Sequence, residues 1–191
     1  MASFSSTPTR TPTHRVLFGV VAVGWIIADQ LSKAWAVSAL DDRTIDVVWT
    51  LRFHLAYNFG ASFSLGAGFG AWIGLLALVV VGVLVWKGGS VRTRLGAVAL
   101  GMIVGGALGN VLDRAFRGDQ GFFHGGVVDF IDLQWWPIFN IADIGVVCGA
   151  ILLVIATLRD SGAEPLTEND AASGSVVDEV SDSSPAPTES L

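Results

Sequence analysis

From Ala71 to Trp86 the chain reads A-W-I-G-L-L-A-L-V-V-V-G-V-L-V-W, sixteen residues without a charge. A second uncharged run of fifteen extends from Ile144 to Leu158. A helix needs about 20 mostly apolar residues to cross a hydrocarbon core. Runs of this length cross only if their polar ends reach the interface. Two further segments have the same character, which predicts four spans: 16–37, 71–86 (extendable back towards Phe63), 95–112 and about 141–158. Only 15% of residues are charged, against about 25% in an ordinary soluble domain. The 23 glycines, several in L-G-A-V-A-L-G-M-I-V-G-G-A-L-G-N, suit close helix approach in lipid. The expected fold is an all-α integral membrane protein with four transmembrane helices.

The first apolar run is read as a membrane helix rather than a signal peptide. It continues past Asp29 and Gln30 to Leu40, and no small-x-small cleavage site precedes a soluble domain. Four spans put both termini on one side. Arg10, Arg15, Lys87, Arg92, Arg94 and Arg159 fall there, against Arg43, Arg52, Arg114 and Arg117 opposite. The bias favours cytoplasmic termini and outward loops at 38–63 and 113–138. The net charge of −6 belongs to the C-terminal end: residues 160–191 hold eight of the 17 acidic residues and no Lys or Arg. Residues 159–191 are therefore expected to be a disordered acidic cytoplasmic tail, and 1–15 a cytoplasmic N-terminal extension. No basic stripe interleaves with aromatics, so nucleic acid is not an expected partner.

The first outer loop has a period of two. In T-I-D-V-V-W-T-L-R-F-H-L-A-Y-N every odd position from Ile45 to Tyr57 is apolar or aromatic. That reads as β-structure with one greasy face, able to rest on the membrane interface. V-V-D-F-I-D-L in the second outer loop is also strand-like, and Trp135 and Trp136 suit the aromatic belt at the headgroups.

Ionisable groups at membrane depth are costly and tend to be paired or functional. Asp29 and Lys33, four apart, share a helix face; they form either a salt bridge that makes the span tolerable or part of a site. Asn58 is a turn residue before Gly60 or a site residue. Asn110 and Arg114 share a face, with Asp113 on a neighbouring one; such groups can also just mark a helix end. Cys148, the single cysteine, is read as a small buried hydrophobe. His14, His54 and His124 lack metal-ligand spacing, so a metal site is not expected. Asp129 ends a strand-like run, and Asp143 lies in the first turn of the last helix, where the amides favour an anion. Asp132, on the opposite side of the strand from Asp129, is read as a solvated loop acid. Two carboxylates close together cannot both ionise cheaply, and a pair sharing a proton can activate water and protonate a carbonyl. On composition alone, a small transporter relaying protons or a scaffold with capping acids accounts for these residues equally well.

The ordered blocks D-Q-L-S-K (29–33), N-F-G-A-S-F (58–63), G-G-A-L-G-N-V-L-D-R (105–114), V-V-D-F-I (127–131) and F-N-I-A-D (139–143) resemble the lipoprotein signal peptidases, bacterial signal peptidase II, over about residues 16–158. The resemblance implies an aspartic endopeptidase of the bacterial cytoplasmic membrane. It would cut prolipoproteins just before a diacylglyceryl-modified cysteine, with no cofactor and as a monomer among membrane lipids. It also implies catalytic roles for Asp129 and Asp143. Substrate-binding or supporting roles would fall to Asp29, Lys33, Asn58, Gly106, Asn110, Asp113, Arg114 and Asn140. An extracytoplasmic β-cradle and a closing loop would correspond to 44–58 and 113–138. Ser64 stands where many relatives have glycine.

Overall fold

The computed structural model describes residues 12–60, 70–88, 93–118 and 125–161. Four helices emerge: α1 (Pro12–Ala39), α2 (Gly70–Gly88), α3 (Arg94–Phe116) and α4 (Ile141–Ser161). Each outruns the apolar stretch that marked it. α1 opens on a proline, whose fixed φ suits a first helical position. α3 opens on Thr93, whose hydroxyl accepts the Gly96 amide at 3.0 Å. At its far end α3 carries Asp113 and Arg114 inside the helix rather than in a loop. By length and composition α1, α3 and α4 are long and apolar enough to cross a membrane, while the apolar part of α2, Trp72–Trp86, is shorter. The extension of α2 towards Phe63, Ser64, His124 and the tail beyond Ser161 lie outside the described residues.

Glycine explains how α3 becomes the central helix. Gly101, Gly105 and Gly109 recur every fourth residue, on one face. A Cβ at Gly101 would sit 2.8 Å from that of Val21, and one at Gly105 would sit 2.6 Å from the Ala22 carbonyl oxygen. α1 therefore lies directly on the α3 backbone. A Cβ at Gly106 would collide with the Ala142 carbonyl, and one at Gly149 of α4 would sit 2.8 Å from the Ala99 carbonyl oxygen. Such contacts drive helix association where lipid removes the hydrophobic incentive. Ala22, Val81 and Val104 bring α1, α2 and α3 into one buried cluster. Outward, Val16, Val20, Val23, Ile27 and Leu31 form an exposed apolar stripe on α1, and Val147, Ile151 and Val154 do so on α4. Apolar residues at helical spacing on the outside fit a hydrocarbon surround. Cys148 is exposed beside Val147 on α4, not buried as expected; a thiol is apolar enough to sit in lipid.

Three strands, β1 (Ile45–Val48), β2 (Leu51–Asn58) and β3 (Val127–Asp132), form an antiparallel sheet in that order. The uninterrupted alternation from Ile45 to Tyr57 conceals a hairpin. Its turn falls at Trp49 and Thr50, with Trp49 at φ 53°. In β2 an extra residue lies between the Phe53↔Ile131 and Ala56↔Asp129 pairs, a bulge that changes register. Trp35, Phe53 and Phe130 pack edge-on or tilted, with centroids 5.4–6.2 Å apart. With Ala36, Leu40 and Val128 they fix the sheet to the end of α1.

Two readings of single acids change. Asp129 sits in the middle of β3, not at its end. Asp132 is buried, not solvated: it accepts from Arg52 Nε at 2.7 Å and from the Gln134 amide at 2.7 Å. Burial pushes its carboxyl up, but the Gln134 amide and Arg52 outweigh that and hold it below its usual 3.8. The Gln134 bond closes a turn, with Gln134 at φ 68°, and the chain returns so that Phe139 pairs with Ile131. That return delivers Asn140 and the start of α4 to the flank of Asp129. His54, read as an isolated loop histidine, lies 3.0 Å from the Thr44 hydroxyl. Residues to Thr157 form one compact unit; the second, Leu158–Leu191, is described only through the last turn of α4.

Candidate active site

Asn140 precedes α4 and caps it. Its side-chain oxygen accepts the Asp143 amide at 3.1 Å, while Asp143 Oδ2 accepts the Asn140 amide at 3.2 Å. This reciprocal box satisfies two amides that a helix start would leave orphaned. The capping role weighed for Asp143 is thus real, and it leaves Oδ1 to accept from Asn110 Nδ2 at 2.9 Å. Asn140 Nδ2 meanwhile donates to Asp129 Oδ1 at 2.6 Å, and Asn58 Nδ2 to Asp129 Oδ2 at 3.2 Å. One asparagine therefore bridges both carboxylates. Asn110 Oδ1 also accepts from Asn140, at 3.1 Å, and so ties α3 into the same group.

Asp129 is only 4% exposed. Burial pushes its carboxyl up, the charge of Asp143 adds to that, and bonds from Asn58 and Asn140 with the charge of Lys33 pull the other way; the result is about 7. A carboxyl that holds its proton near neutrality beside a second carboxyl is the environment in which acid and base roles divide.

Asp129 and Asp143 share the polar end of a cavity of about 520 Å³ with Asn58, Asn110 and Arg114. Its remaining walls are largely apolar, with Ile73, Leu76, Ala77 and Val80 from α2, Ile103 and Ala107 from α3, and Val146 and Val147 from α4. Arg114 is buried. It donates through Nη2 to the Gly60 carbonyl at 3.3 Å, and its Nε meets no partner among the described residues. Asn58 Oδ1 accepts the Gly60 amide at 3.1 Å, closing a turn after β2.

Asp29, Lys33 and Asp113 lie behind this end of the cavity, all 0% exposed. Lys33 Nζ donates to Asp29 Oδ2 at 2.9 Å, Asp113 Oδ2 at 2.8 Å and Asn110 Oδ1 at 2.8 Å, using all three of its protons. The two alternatives for Asp29 and Lys33 merge: the salt bridge exists and is connected to the site. Asp29 Oδ1 accepts the Ala142 amide at 2.9 Å, and Asp113 Oδ2 accepts the Val128 amide at 3.1 Å. Ala142 precedes Asp143 and Val128 precedes Asp129. The buried triad thus grips the backbone of both aspartate-bearing elements.

Three participants were not singled out from the sequence. Gln30 donates to Asp29, Asp113 and the Gly109 carbonyl. Arg117 donates to Asp113 Oδ1 at 2.7 Å. Trp25 Nε1 donates to the Ile141 carbonyl at 3.0 Å. The available signal for the last was spacing: Trp25 lies four residues before Asp29, on the same face of α1. Gly106 faces the Ala142 carbonyl and Val146 of α4, and its lack of a side chain lets α4 approach α3. Gly106→Ala is expected to push the start of α4 away, costing about 1–3 kcal/mol as overpacking does and lowering turnover through Asp143. Thermal unfolding and turnover of the purified variant check both.

The family described as signal peptidase (SPase) II matches residues 21–159. A lipoprotein signal peptidase of Rhodococcus jostii is 43% identical over 169 residues, covering 84% of this chain and 81% of that one. One from Syntrophomonas wolfei is 39% identical over 143 residues, covering 73% and 91%. A solved structure described as a bacterial membrane enzyme, obtained by the in meso method at 2.3 Å resolution, superposes with a TM-score of 0.66 at 28% identity, covering 83% of this chain and 94% of that one. With the match running from α1 through almost all of α4, and with it every side chain of the polar cluster, this chain belongs to the signal peptidase II family.

Proposed function

We propose that this chain is an aspartic endopeptidase that removes signal peptides from diacylglyceryl-modified prolipoproteins, cutting on the N-terminal side of the lipidated cysteine. The observation that carries the reading is the bridge of Asn140 to both Asp129 and Asp143 at the polar end of an otherwise apolar cavity. The ionised member of the pair takes a proton from water as it attacks the scissile carbonyl. The protonated member donates to the carbonyl oxygen. Collapse of the tetrahedral intermediate expels the amine, which takes the proton that the first carboxylate received from water, while a hydroxyl of the intermediate returns a proton to the second carboxylate. No acyl-enzyme is formed, and the pair titrates as a unit. Asn58, Asn110 and Asn140 orient the carboxylates. Asp29, Lys33 and Asp113 hold their backbones, Arg114 holds substrate or the Gly60 turn, and Gly106 sets the spacing of α3 and α4.

The apolar walls favour a substrate whose lipid stays in the bilayer while its peptide reaches the carboxylates. In this reading α2 crosses the membrane as well as α1, α3 and α4, and residues 16–158 are the peptidase domain. Residues 1–15 and the acidic 159–191 are cytoplasmic. The sheet and carboxylates lie at the extracytoplasmic face of the cytoplasmic membrane, and the protein acts as a monomer.

The raised carboxyl of Asp129 sets a pH dependence. Its proton is retained up to about pH 7, so the singly protonated pair is lost as pH rises through that value. The alkaline limb of kcat/KM is expected near 7, falling tenfold per pH unit beyond it. Stability follows the same sign. With a folded value above the unfolded 3.8, the contribution of this group is full below 3.8 and is lost as pH rises through 7. A profile flat from pH 6 to 9 would contradict a proton held between these groups. Cleavage of a lipidated precursor by purified protein tests the activity itself.

A further inference from the structure

Two tight turns meet at the end of the sheet remote from Asn58. One is the β1–β2 turn, with Trp49 at φ 53°; the other follows β3, with Gln134 at φ 68°. These are the only non-glycine residues with positive φ among the described residues. A bulky side chain rarely adopts that conformation, and strain of this kind persists only where something else requires it. The turns are tied together: Gln134 Nε2 donates to the Thr50 carbonyl at 3.0 Å, and Arg52 pairs with Asp132 just inside. The tied end carries Trp49, 97% exposed, with Trp135 at 71% and Trp136 at 59%. Trp135 and Trp136 stack edge-on, 6.2 Å apart. Val47 and Val48 are exposed beside Trp49 on the edge strand.

In water this cluster is doubly unfavourable, with three large aromatics uncovered and one of them held in a strained turn. We propose that it is a membrane anchor: the three tryptophans insert into the headgroup zone and fix the height of the sheet, and so of Asp129, above the hydrocarbon. The occupant is a lipid surface because of where the cluster sits. Trp136 is five residues before Ile141, where the apolar α4 begins, and the sheet packs on the end of α1 through Trp35, Ala36 and Leu40. The same bilayer that surrounds those helices continues past the cluster. Indole rings, apolar with one N–H donor, partition to that zone. This inference rests on the helices crossing a bilayer, not on the peptidase chemistry.

The test uses full-length protein in nanodiscs of phosphatidylcholine brominated on its acyl chains, with acrylamide as the aqueous quencher. The difference in emission between wild type and Trp49→Phe isolates Trp49. That difference is expected to be quenched by lipid bromine by roughly half, and to resist acrylamide, as an interfacial indole does. Quenching by acrylamide without any by lipid bromine would overturn the anchor. Resistance to both quenchers, with self-association that Trp49→Phe abolishes, would overturn it in favour of a second copy as the occupant. Trp49→Gly adds a discriminating arm, because glycine accepts positive φ without strain. In detergent its unfolding temperature is expected to match or exceed wild type. In nanodiscs, lipid-bromine quenching of the remaining tryptophans is expected to fall; quenching equal to that of Trp49→Phe would overturn the role of Trp49 in setting the height.

Discussion

Asp129→Asn and Asp143→Asn are each expected to lower kcat by roughly 10²–10⁴-fold, the range that general acid–base groups contribute, while KM for a lipidated precursor changes little. The reason is local. Each carboxylate accepts at both oxygens: Asp129 from Asn140 and Asn58, Asp143 from Asn110 and Asn140. An amide keeps the shape but can neither take a proton from water nor supply an acidic one. It also turns a donor towards one of those asparagines, at about 1–3 kcal/mol. At Asp129 removal of a buried charge offsets part of that cost, since burial already disfavours the ionised form. Combining the two substitutions is expected to cost hardly more than either alone, because groups that act as a unit are strongly non-additive. Single-turnover rates on one precursor measure this, and independent effects that multiply would indicate that the two do not share a proton.

The largest loss of stability is expected from Lys33→Met. Methionine fills the space of the lysine stem but leaves Asp29 and Asp113 buried with no cation between them. Lys33 donates to both at under 3 Å, in a region with no solvent exposure. Breaking a buried ionic group by removing one partner typically costs about 3–5 kcal/mol. Arg117 still reaches Asp113, so Asp29 suffers most. Asp29 holds the Ala142 amide, and activity is expected to fall together with the unfolding temperature. Lys33→Arg is expected not to rescue, because a planar fork cannot point at three acceptors arranged around one nitrogen. Thermal unfolding in detergent, read beside turnover, separates this from the aspartate variants, which lose turnover without a comparable loss of stability.

The helices were legible because lipid demands long uncharged runs, and nothing competes with that signal from Ala71 to Trp86 or Ile144 to Leu158. Their ends were not, because an apolar count stops where a helix still continues through capped or charged turns. Asp113 and Arg114 belong to α3 for that reason. The sheet was legible as β-structure from its alternation. The hairpin was hidden because Trp49 sits in the turn while keeping the apolar phase, and neither glycine nor asparagine marks the reversal. Asp132 was misread because a sequence does not reveal that a bulged β2 lays Arg52 opposite it. The polar cluster was named almost whole from ordered motifs. Its arrangement, with Asn140 between the carboxylates and the triad gripping the residues before them, depends on a chain reversal after β3 that no local pattern announces.

The most direct measurement mixes purified wild-type protein with two forms of one precursor, diacylglyceryl-modified and unmodified, and identifies the products by mass. The expected product begins at the lipid-bearing cysteine, arises from the modified form only, and is absent when Asp129 or Asp143 is replaced by asparagine. Equal cleavage of the unmodified precursor, or full activity in either variant, would contradict it.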